Sequence, residues 1–187
     1  MTSQLNKIYW DSSAFICFLR KHEGDRRKIC EDILYHARDG RVTLYTSTFT
    51  VTEVVRPSSL NVAGARPFSR EEIGEIQAMF QWQWIKKVDL DQRVARKAVE
   101  LQRDYSLFAV DSVHAASALI AETDVLQHWE RNDEYGKIGR LIRVEHPQML
   151  TYGASHEARG ARLVRDGLFR TATANSENQN LRLRFRA

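Results

Sequence analysis

The residues of this chain that could do chemistry are acidic, and they recur where strand-like runs give way to helix-like segments. They are Asp11, Glu53, Asp111 and one of Glu130 or Asp133. The carboxyl ends of parallel strands form the ligand crevice of an open α/β sheet, so these carboxylates should meet there. Clustered carboxylates raise each other's pKa unless a cation is bound, and Mg²⁺ or Mn²⁺ suits oxygen ligands. The pattern predicts a metal-dependent hydrolase.

Strand-like and helix-like segments alternate along the first 150 residues. Strands are predicted at 7–10, 42–45, 84–88, 124–129 and 141–144. Helices are predicted at 12–19, 25–38, from 47 or 48 to Pro57, 69–81, from 89 or 91 to 105, and 111–121, with a loop at 57–68 and a last turn from Pro147. Such alternation implies right-handed crossovers and a sheet covered on both faces. We therefore expect an α/β fold, a three-layer α/β/α sandwich with a central, mostly parallel sheet of about five strands.

Composition indicates an ordinary globular domain, with 187 residues, 43% hydrophobic and 28% charged. No run approaches the roughly 18 apolar residues of a membrane helix, so we expect no membrane association and a cytoplasmic protein. Cys17 and Cys30 lack the paired spacing of zinc ligands and are interpreted as buried thiols, which fits a reducing compartment.

Other hydrolase and nucleotide-binding chemistries lack their motifs. No glycine-rich phosphate loop follows a strand. A phosphatase with an aspartyl nucleophile would need an acid two residues after Asp11, where Ser13 stands. No serine lies in a glycine-flanked turn, so a Ser-His-Asp hydrolase is not indicated.

Three short motifs lie in order at the predicted strand ends. They are Asp11-Ser12-Ser13-Ala14, Thr52-Glu53-Val54, and Asp111-Ser112-Val113-His114-Ala115-Ala116 with Thr123-Asp124-Val125-Leu126 beyond it. Their order resembles the PIN-domain nucleases, which include the VapC-type toxins of bacterial toxin-antitoxin pairs. The resemblance covers about residues 7–150. It implies that Asp11, Glu53 and Asp111 are the metal-binding acids.

The fourth acid departs from the family pattern of Thr or Ser, one residue, then Asp. The matching stretch here is His128-Trp129-Glu130, so Glu130 takes the Asp position and His128 stands where a small hydroxyl is usual. Asp133 or Asn132 could substitute if the loop shifts. We keep Glu130 as the assisting acid and Asp133 as a further metal-ligand candidate.

The resemblance implies a Mg²⁺- or Mn²⁺-dependent endoribonuclease that cleaves RNA with a metal-activated water. It also implies a homodimer and, if the protein is a toxin, a cognate antitoxin. An RNA-processing role is the alternative to a toxin. From a different class, a catalytically silent PIN-like module that binds RNA or a protein partner remains the second hypothesis.

Each site residue also has an ordinary structural interpretation. Asp11 and Asp111 could simply be helix N-caps, since Asp is favoured there. Glu53 could be an exposed helix residue. His114, three residues beyond Asp111, could handle protons or could be a hydrogen-bonded structural histidine.

Positive charge is concentrated after residue 150. Residues 151–187 hold seven Arg against three acidic residues, while residues 1–150 are neutral overall. We therefore divide the chain into a PIN-like nuclease domain, 1–150, and a basic extension, 151–187, whose composition predicts a mobile or partner-ordered arm. The arm could neutralise phosphates, remain a solvated tail, or dock on an acidic partner.

Deleting residues 151–187 should weaken RNA binding and flatten its salt dependence, because fewer counterions are released when fewer phosphates are neutralised. Fluorescence anisotropy of a labelled RNA across a salt series measures both quantities. An unchanged salt slope would instead assign the arm to a protein partner.

Overall fold

The computed structural model describes residues 7–20, 23–55, 68–130 and 134–150. The five strands are β1 (Lys7–Trp10), β2 (Thr43–Ser47), β3 (Ile85–Val88), β4 (Val125–Gln127) and β5 (Arg143–Glu145). The helices are α1 (Ser12–Leu19), α2 (Gly24–Arg38), α3 (Thr50–Val55), α4 (Arg70–Met79), α5 (Gln92–Tyr105) and α6 (Ala109–Ile120), with a 3₁₀ turn at Tyr135–Ile138. The predicted extension, 151–187, and most of the predicted loop at 57–68 lie outside these ranges.

The strands form one sheet in the order β3-β2-β1-β4-β5, and every pairing is parallel. Ile8 of β1 lies opposite Leu44 of β2 on one side and Val125 of β4 on the other. The predicted fold class is confirmed. Because the strands are parallel, their carboxyl ends all lie at one edge of the sheet. The chain adds β2 and β3 on one side of β1 and then β4 and β5 on the other, so Asp11, which follows β1, lies where the strand order changes direction.

β1 is central because its side chains are apolar on both faces of the sheet, as parallel strands require. Tyr9 packs with Leu101 of α5 and Ala115 of α6 in one core cluster. Trp10, which points to the other face, lies edge-on to Phe15 of α1 at 5.2 Å between ring centroids. Helices therefore cover both faces, which gives the three-layer arrangement.

Several helix starts follow the predicted capping chemistry. Asp11 caps α1 and Asp91 caps α5, each accepting two backbone N–H groups. Ser69 and Glu72 form a reciprocal capping box at the start of α4. These local hydrogen bonds explain why the sequence located α1, α4 and α5 closely.

The predicted start of α6 is wrong by two residues. The sequence predicts that Asp111 opens this helix, but the helix begins at Ala109 and its cap position is Phe108, whose backbone is extended. The Ser112 amide donates to the Phe108 carbonyl at 2.8 Å, which closes the first turn without a side-chain cap. Asp111 consequently lies inside the first turn, so the interpretation of Asp111 as an N-cap is also wrong.

The predicted helical turn from Pro147 is absent, since residues 146–150 have no regular secondary structure. Instead, the segment is hydrogen-bonded to α2, because the Leu150 amide donates to the Asp32 carboxylate at 2.9 Å. β4 also ends at Gln127, two residues earlier than expected. The contact of Leu150 with Asp32, which is distant in sequence, could not be revealed by the local sequence.

Cys17 and Cys30 are buried and free, as expected. Within the parts of the chain that the structure describes, no helix is long and apolar enough to cross a membrane.

Replacing Leu126 in β4 with Ala should lower the free energy of unfolding by about 2–5 kcal/mol, because the side chain is fully buried and its loss leaves a cavity. Urea unfolding followed by circular dichroism measures the change. The same truncation at Leu141, which is 42% exposed, is the matched control and should change stability by no more than about 0.5 kcal/mol. Equal losses in the two variants would contradict the assigned core.

Candidate active site

Asp11 lies at the junction of β1 and α1 and is almost completely buried, with 1% of its surface exposed. Its Oδ1 accepts hydrogen bonds from the Ser13 amide at 3.0 Å, the Ser13 hydroxyl at 2.6 Å and the Ala14 amide at 3.3 Å. All three bonds use the same oxygen. Asp11 is therefore an N-cap through Oδ1, and this capping role leaves Oδ2 available for another interaction.

Burial raises the pKa of Asp11 from its ordinary 3.8 to about 6, because the charged carboxylate is separated from water. The charge of His114 and the hydrogen bonds at Oδ1 oppose this rise. The charge of Glu53 adds to it. Asp11 and Glu53 are thus close enough to interact electrostatically, although they come from different crossovers.

Glu53 projects from α3 towards α6 and is held by His114. The Oε2 atom of Glu53 lies 2.6 Å from Nε2 of His114, and Nδ1 of His114 lies 2.9 Å from the Tyr9 hydroxyl. A carboxylate oxygen accepts, so Nε2 of His114 donates to Glu53, and Nδ1 of the same ring pairs with the Tyr9 hydroxyl. The chain Tyr9–His114–Glu53 links the central strand to both helices and fixes one orientation of the Glu53 carboxylate.

His114 therefore does have a structural, hydrogen-bonded role, and its partner is one of the predicted site acids. The imidazole is 1% exposed, so both nitrogens need partners and both have one. The spacing from Asp111 put His114 on the correct helix face. The local sequence around Tyr9 carried no sign of this contact.

Asp111 is 7% exposed and lies in the first turn of α6. Burial is the largest cause that raises the pKa of Asp111 above its ordinary value. The charges of Glu134 and Glu53 raise it further, while His114 opposes them. Glu134 accepts a hydrogen bond from Lys137 at 2.7 Å. It is a further acid near the site, and no sequence motif indicated it.

Glu130 follows β4 and completes the group. Burial first, and then the charges of Asp11 and Asp111, raise the pKa of Glu130 from 4.5 to about 7. Glu53 also contributes to the rise. The structure therefore brings Asp11, Glu53, Asp111 and Glu130 within electrostatic reach of one another, whereas Asp133 lies outside the described residues.

Ser13 supplies the hydroxyl that connects the end of β4 to Asp11. Its Oγ donates to Asp11 Oδ1 and accepts the Trp129 amide at 2.7 Å. The backbone carbonyl of His128, the preceding residue, accepts a hydrogen bond from Nδ1 of His146 at 2.8 Å. The segment that leads to Glu130 is thus anchored to Asp11 by a side chain from α1.

Among the residues that the structure describes, no three His, Cys, Asp or Glu side chains are grouped tightly enough to hold a metal ion. The donor chemistry nevertheless fits a hard cation. The four candidates are carboxylates, they are partly or fully buried, and their charges oppose one another. Oxygen ligands of this kind suit Mg²⁺ or Mn²⁺ better than softer metals.

Comparison with protein families connects this geometry to a known group. The PIN domain model matches residues 8–132. The chain belongs to the PIN domain family. The matched segment includes Asp11, Glu53, Asp111 and Glu130. Comparison with curated proteins finds no match.

Several solved structures share the fold of this chain. A toxin-antitoxin complex from Klebsiella pneumoniae has 16% identity and a TM-score of 0.51, over 75% of this chain and 98% of that one. VapC20 of Mycobacterium tuberculosis, described as a sarcin-ricin loop cleaving toxin, has 10% identity and a TM-score of 0.51, over 69% and 94%. VapBC2 from Rickettsia felis, bound to a fragment of its promoter DNA, has 12% identity and a TM-score of 0.52, over 76% and 99%. At these identities the likeness shows the fold alone.

Replacing Asp11 with Asn should stabilise the metal-free protein above about pH 6. In wild type the raised pKa means that folding disfavours the charged carboxylate, so the full stability is present below about pH 3.8 and is lost as the pH rises through about 6. The variant has no carboxylate to bury at this position. Its free energy of unfolding should therefore exceed that of wild type by up to about 3 kcal/mol at neutral pH and should not exceed it near pH 3.8.

Urea unfolding with EDTA across this pH range measures the difference. Asp91→Asn is the matched control, because Asp91 also caps a helix through Oδ1 but its side chain is 38% exposed. A gain of equal size in both variants would show that capping, rather than charge burial, causes the effect.

Proposed function

We propose that this PIN-domain protein is a divalent-metal-dependent endoribonuclease whose site is formed by Asp11, Glu53, Asp111 and Glu130. Asp133 is retained as a further ligand candidate from the sequence. The proposal depends above all on the electrostatic coupling of these acids at the carboxyl edge of the sheet. Buried like charges destabilise a fold, and groups of strongly perturbed carboxylates occur mainly at functional sites.

The proposed metal ligands are Asp11, Glu53 and Asp111, with Glu130 assisting. When bound, Mg²⁺ or Mn²⁺ would activate a water for attack on the phosphodiester phosphorus and stabilise the leaving oxygen. Asp11 would offer its uncapped Oδ2, while His114 keeps Glu53 directed into the site. The carboxyl group of Glu130, with a pKa of about 7, can accept a proton from water or return it near neutral pH.

The assignment of RNA as substrate, and of an antitoxin as partner, draws on the proteins of similar fold. Two of them are toxin-antitoxin complexes or pairs, and one is described as cleaving the sarcin-ricin loop. We accordingly propose that this chain acts on RNA in the cytoplasm, forms a homodimer, and is the toxin of a toxin-antitoxin pair whose antitoxin binds and inhibits it.

Purified protein should cleave a mixed set of single-stranded and structured RNAs with Mn²⁺ or Mg²⁺, and EDTA should abolish the cleavage. Asp11→Asn should reduce the rate by more than about 100-fold, because it removes a carboxylate from the site. Asp91→Asn should cleave at the wild-type rate. Gel analysis of end-labelled RNA measures the rates, and urea unfolding verifies that both variants fold.

Undiminished cleavage by Asp11→Asn would reject the site. If wild type binds RNA but cleaves none of the set with either metal, the silent binding module becomes the better hypothesis. The hydrogen bond between His114 and Glu53 is compatible with a silent binding module, because it occupies an oxygen of Glu53, one of the three proposed metal ligands.

A further inference from the structure

Trp129 stands directly before Glu130, and three contacts fix its position. Its amide donates to the Ser13 hydroxyl at 2.7 Å, and its indole Nε1 donates to the Cys30 sulfur at 3.3 Å. The imidazole of His146 stacks on the indole, with 5.4 Å between ring centroids and 16° between ring planes. The half-buried indole therefore has one defined position at the edge of the sheet where the acids lie.

The guanidinium of Arg26 lies over this indole, with 5.1 Å between Cζ and the ring centroid. Tryptophan is the best partner for such a cation–π contact, which restricts an otherwise flexible side chain. Arg26 precedes Cys30 by one helical turn on α2, so the same helix face supplies both contacts to the indole. The contact thus fixes a positive charge beside the segment that carries Glu130.

The direction of α2 also places Arg26 at the acidic edge. α2 leads into β2, and the amino end of this parallel strand lies at the opposite edge of the sheet from Asp11. The last turn of α2 therefore lies towards that opposite edge. Its first turn, which contains Arg26, lies towards the carboxyl ends of the strands.

Arg26 is not used to neutralise an acid of the fold. Its side chain is exposed, and no ion pair joins it to an acid within the described residues. The adjacent Arg27 differs, since its Nε lies 3.0 Å from Glu31 and its side chain is only 17% exposed. A guanidinium that stacks on a ring keeps its N–H groups for another ligand, and its planar fork suits the oxygens of a phosphate.

We propose that Arg26, held on Trp129, binds a phosphate of the RNA strand next to the phosphate that is cleaved. This inference rests on the proposed nuclease function. Residues 1–150 carry no net positive charge, and the acids of the site repel an RNA backbone. A fixed cation beside Glu130 offsets this repulsion and sets the position of the strand. Because the bound phosphate does not react, the contact strengthens binding and leaves the chemical step unchanged.

The first test removes one charge from either end of α2 in the full-length protein. Arg26→Gln should weaken binding of a short single-stranded RNA by about tenfold. It should also reduce the slope of log affinity against log salt by about 0.7, the contribution of one phosphate. Anisotropy in EDTA measures the affinity, and the protein concentration that half-saturates single-turnover cleavage measures it with Mn²⁺.

Arg38→Gln is the matched control for this test. Arg38 also lies over an aromatic ring, that of Tyr35 at 5.0 Å, but about 18 Å further along α2. Its replacement should change neither the affinity nor the salt slope. At saturating protein both variants should cleave at the wild-type rate, and urea unfolding verifies that both fold.

A second measurement separates a direct contact from a general effect of charge. A neutral methylphosphonate replaces each phosphate of the RNA in turn, and one position beside the cleaved bond should weaken binding by wild type about tenfold. Arg26→Gln has no cation for that position, so the same substitution should weaken its binding much less. At the other positions the two proteins should lose equal affinity.

The possible outcomes separate this inference from the proposed function. If wild type cleaves RNA and Arg26→Gln keeps its affinity and salt slope, the function stands and the inference is overturned. Equal losses in Arg26→Gln and Arg38→Gln, equal methylphosphonate effects at every position, or slower cleavage by Arg26→Gln at saturation would also overturn it. If wild type binds RNA without cleaving it, a methylphosphonate effect that is lost in Arg26→Gln supports the contact while the nuclease function fails. No RNA binding by wild type overturns both.

Discussion

The burial of neighbouring carboxylates is the constraint on which the site depends. The parallel sheet brings the ends of its strands to one edge, and this geometry collects acids from crossovers that are far apart in sequence. Burial and neighbouring charges then raise the pKa of Asp11 to about 6 and that of Glu130 to about 7. Such an arrangement lowers the stability of the folded protein at neutral pH, and strongly perturbed carboxylates of this kind occur mainly at functional sites.

Hydrogen bonds hold the acids in place without neutralising them as a group. Asp11 uses one oxygen to cap α1, and Ser13 joins that oxygen to the segment leading to Glu130. His114 fixes Glu53 from the opposite side and is itself fixed by Tyr9. Each contact joins two elements of the fold. The network therefore preorganises the carboxylates before any ligand binds, which reduces the reorganisation needed during a reaction.

The family and the site support the functional proposal in different ways. A shared fold is compatible with many activities, so membership of the PIN domain family and the likeness to toxin structures give the context. The chemistry has to come from particular side chains. The coupled acids favour a phosphodiester-cleaving centre.

The sequence by itself determined the α/β class, the approximate strands, and three caps, because these follow from short-range apolar periodicity and local hydrogen bonds. It also singled out Asp11, Glu53 and Asp111, since their motifs occur in a family order. Local patterns failed at the start of α6, which has no side-chain cap to mark it, and at Pro147, near which Leu150 is hydrogen-bonded to the distant Asp32. The role of Asp133 as a metal ligand and the role of the basic extension, 151–187, remain predictions from the sequence.

Only the tertiary structure decided how the site is assembled. Nothing local links Tyr9 to His114, or Ser13 to Trp129, because each pair is separated by more than a hundred residues. The same is true of the charges that perturb Glu130 and of the contact between Arg26 and Trp129. These properties depend on burial and on distances across the sheet, and the order of residues along the chain does not encode either quantity until the strands are paired.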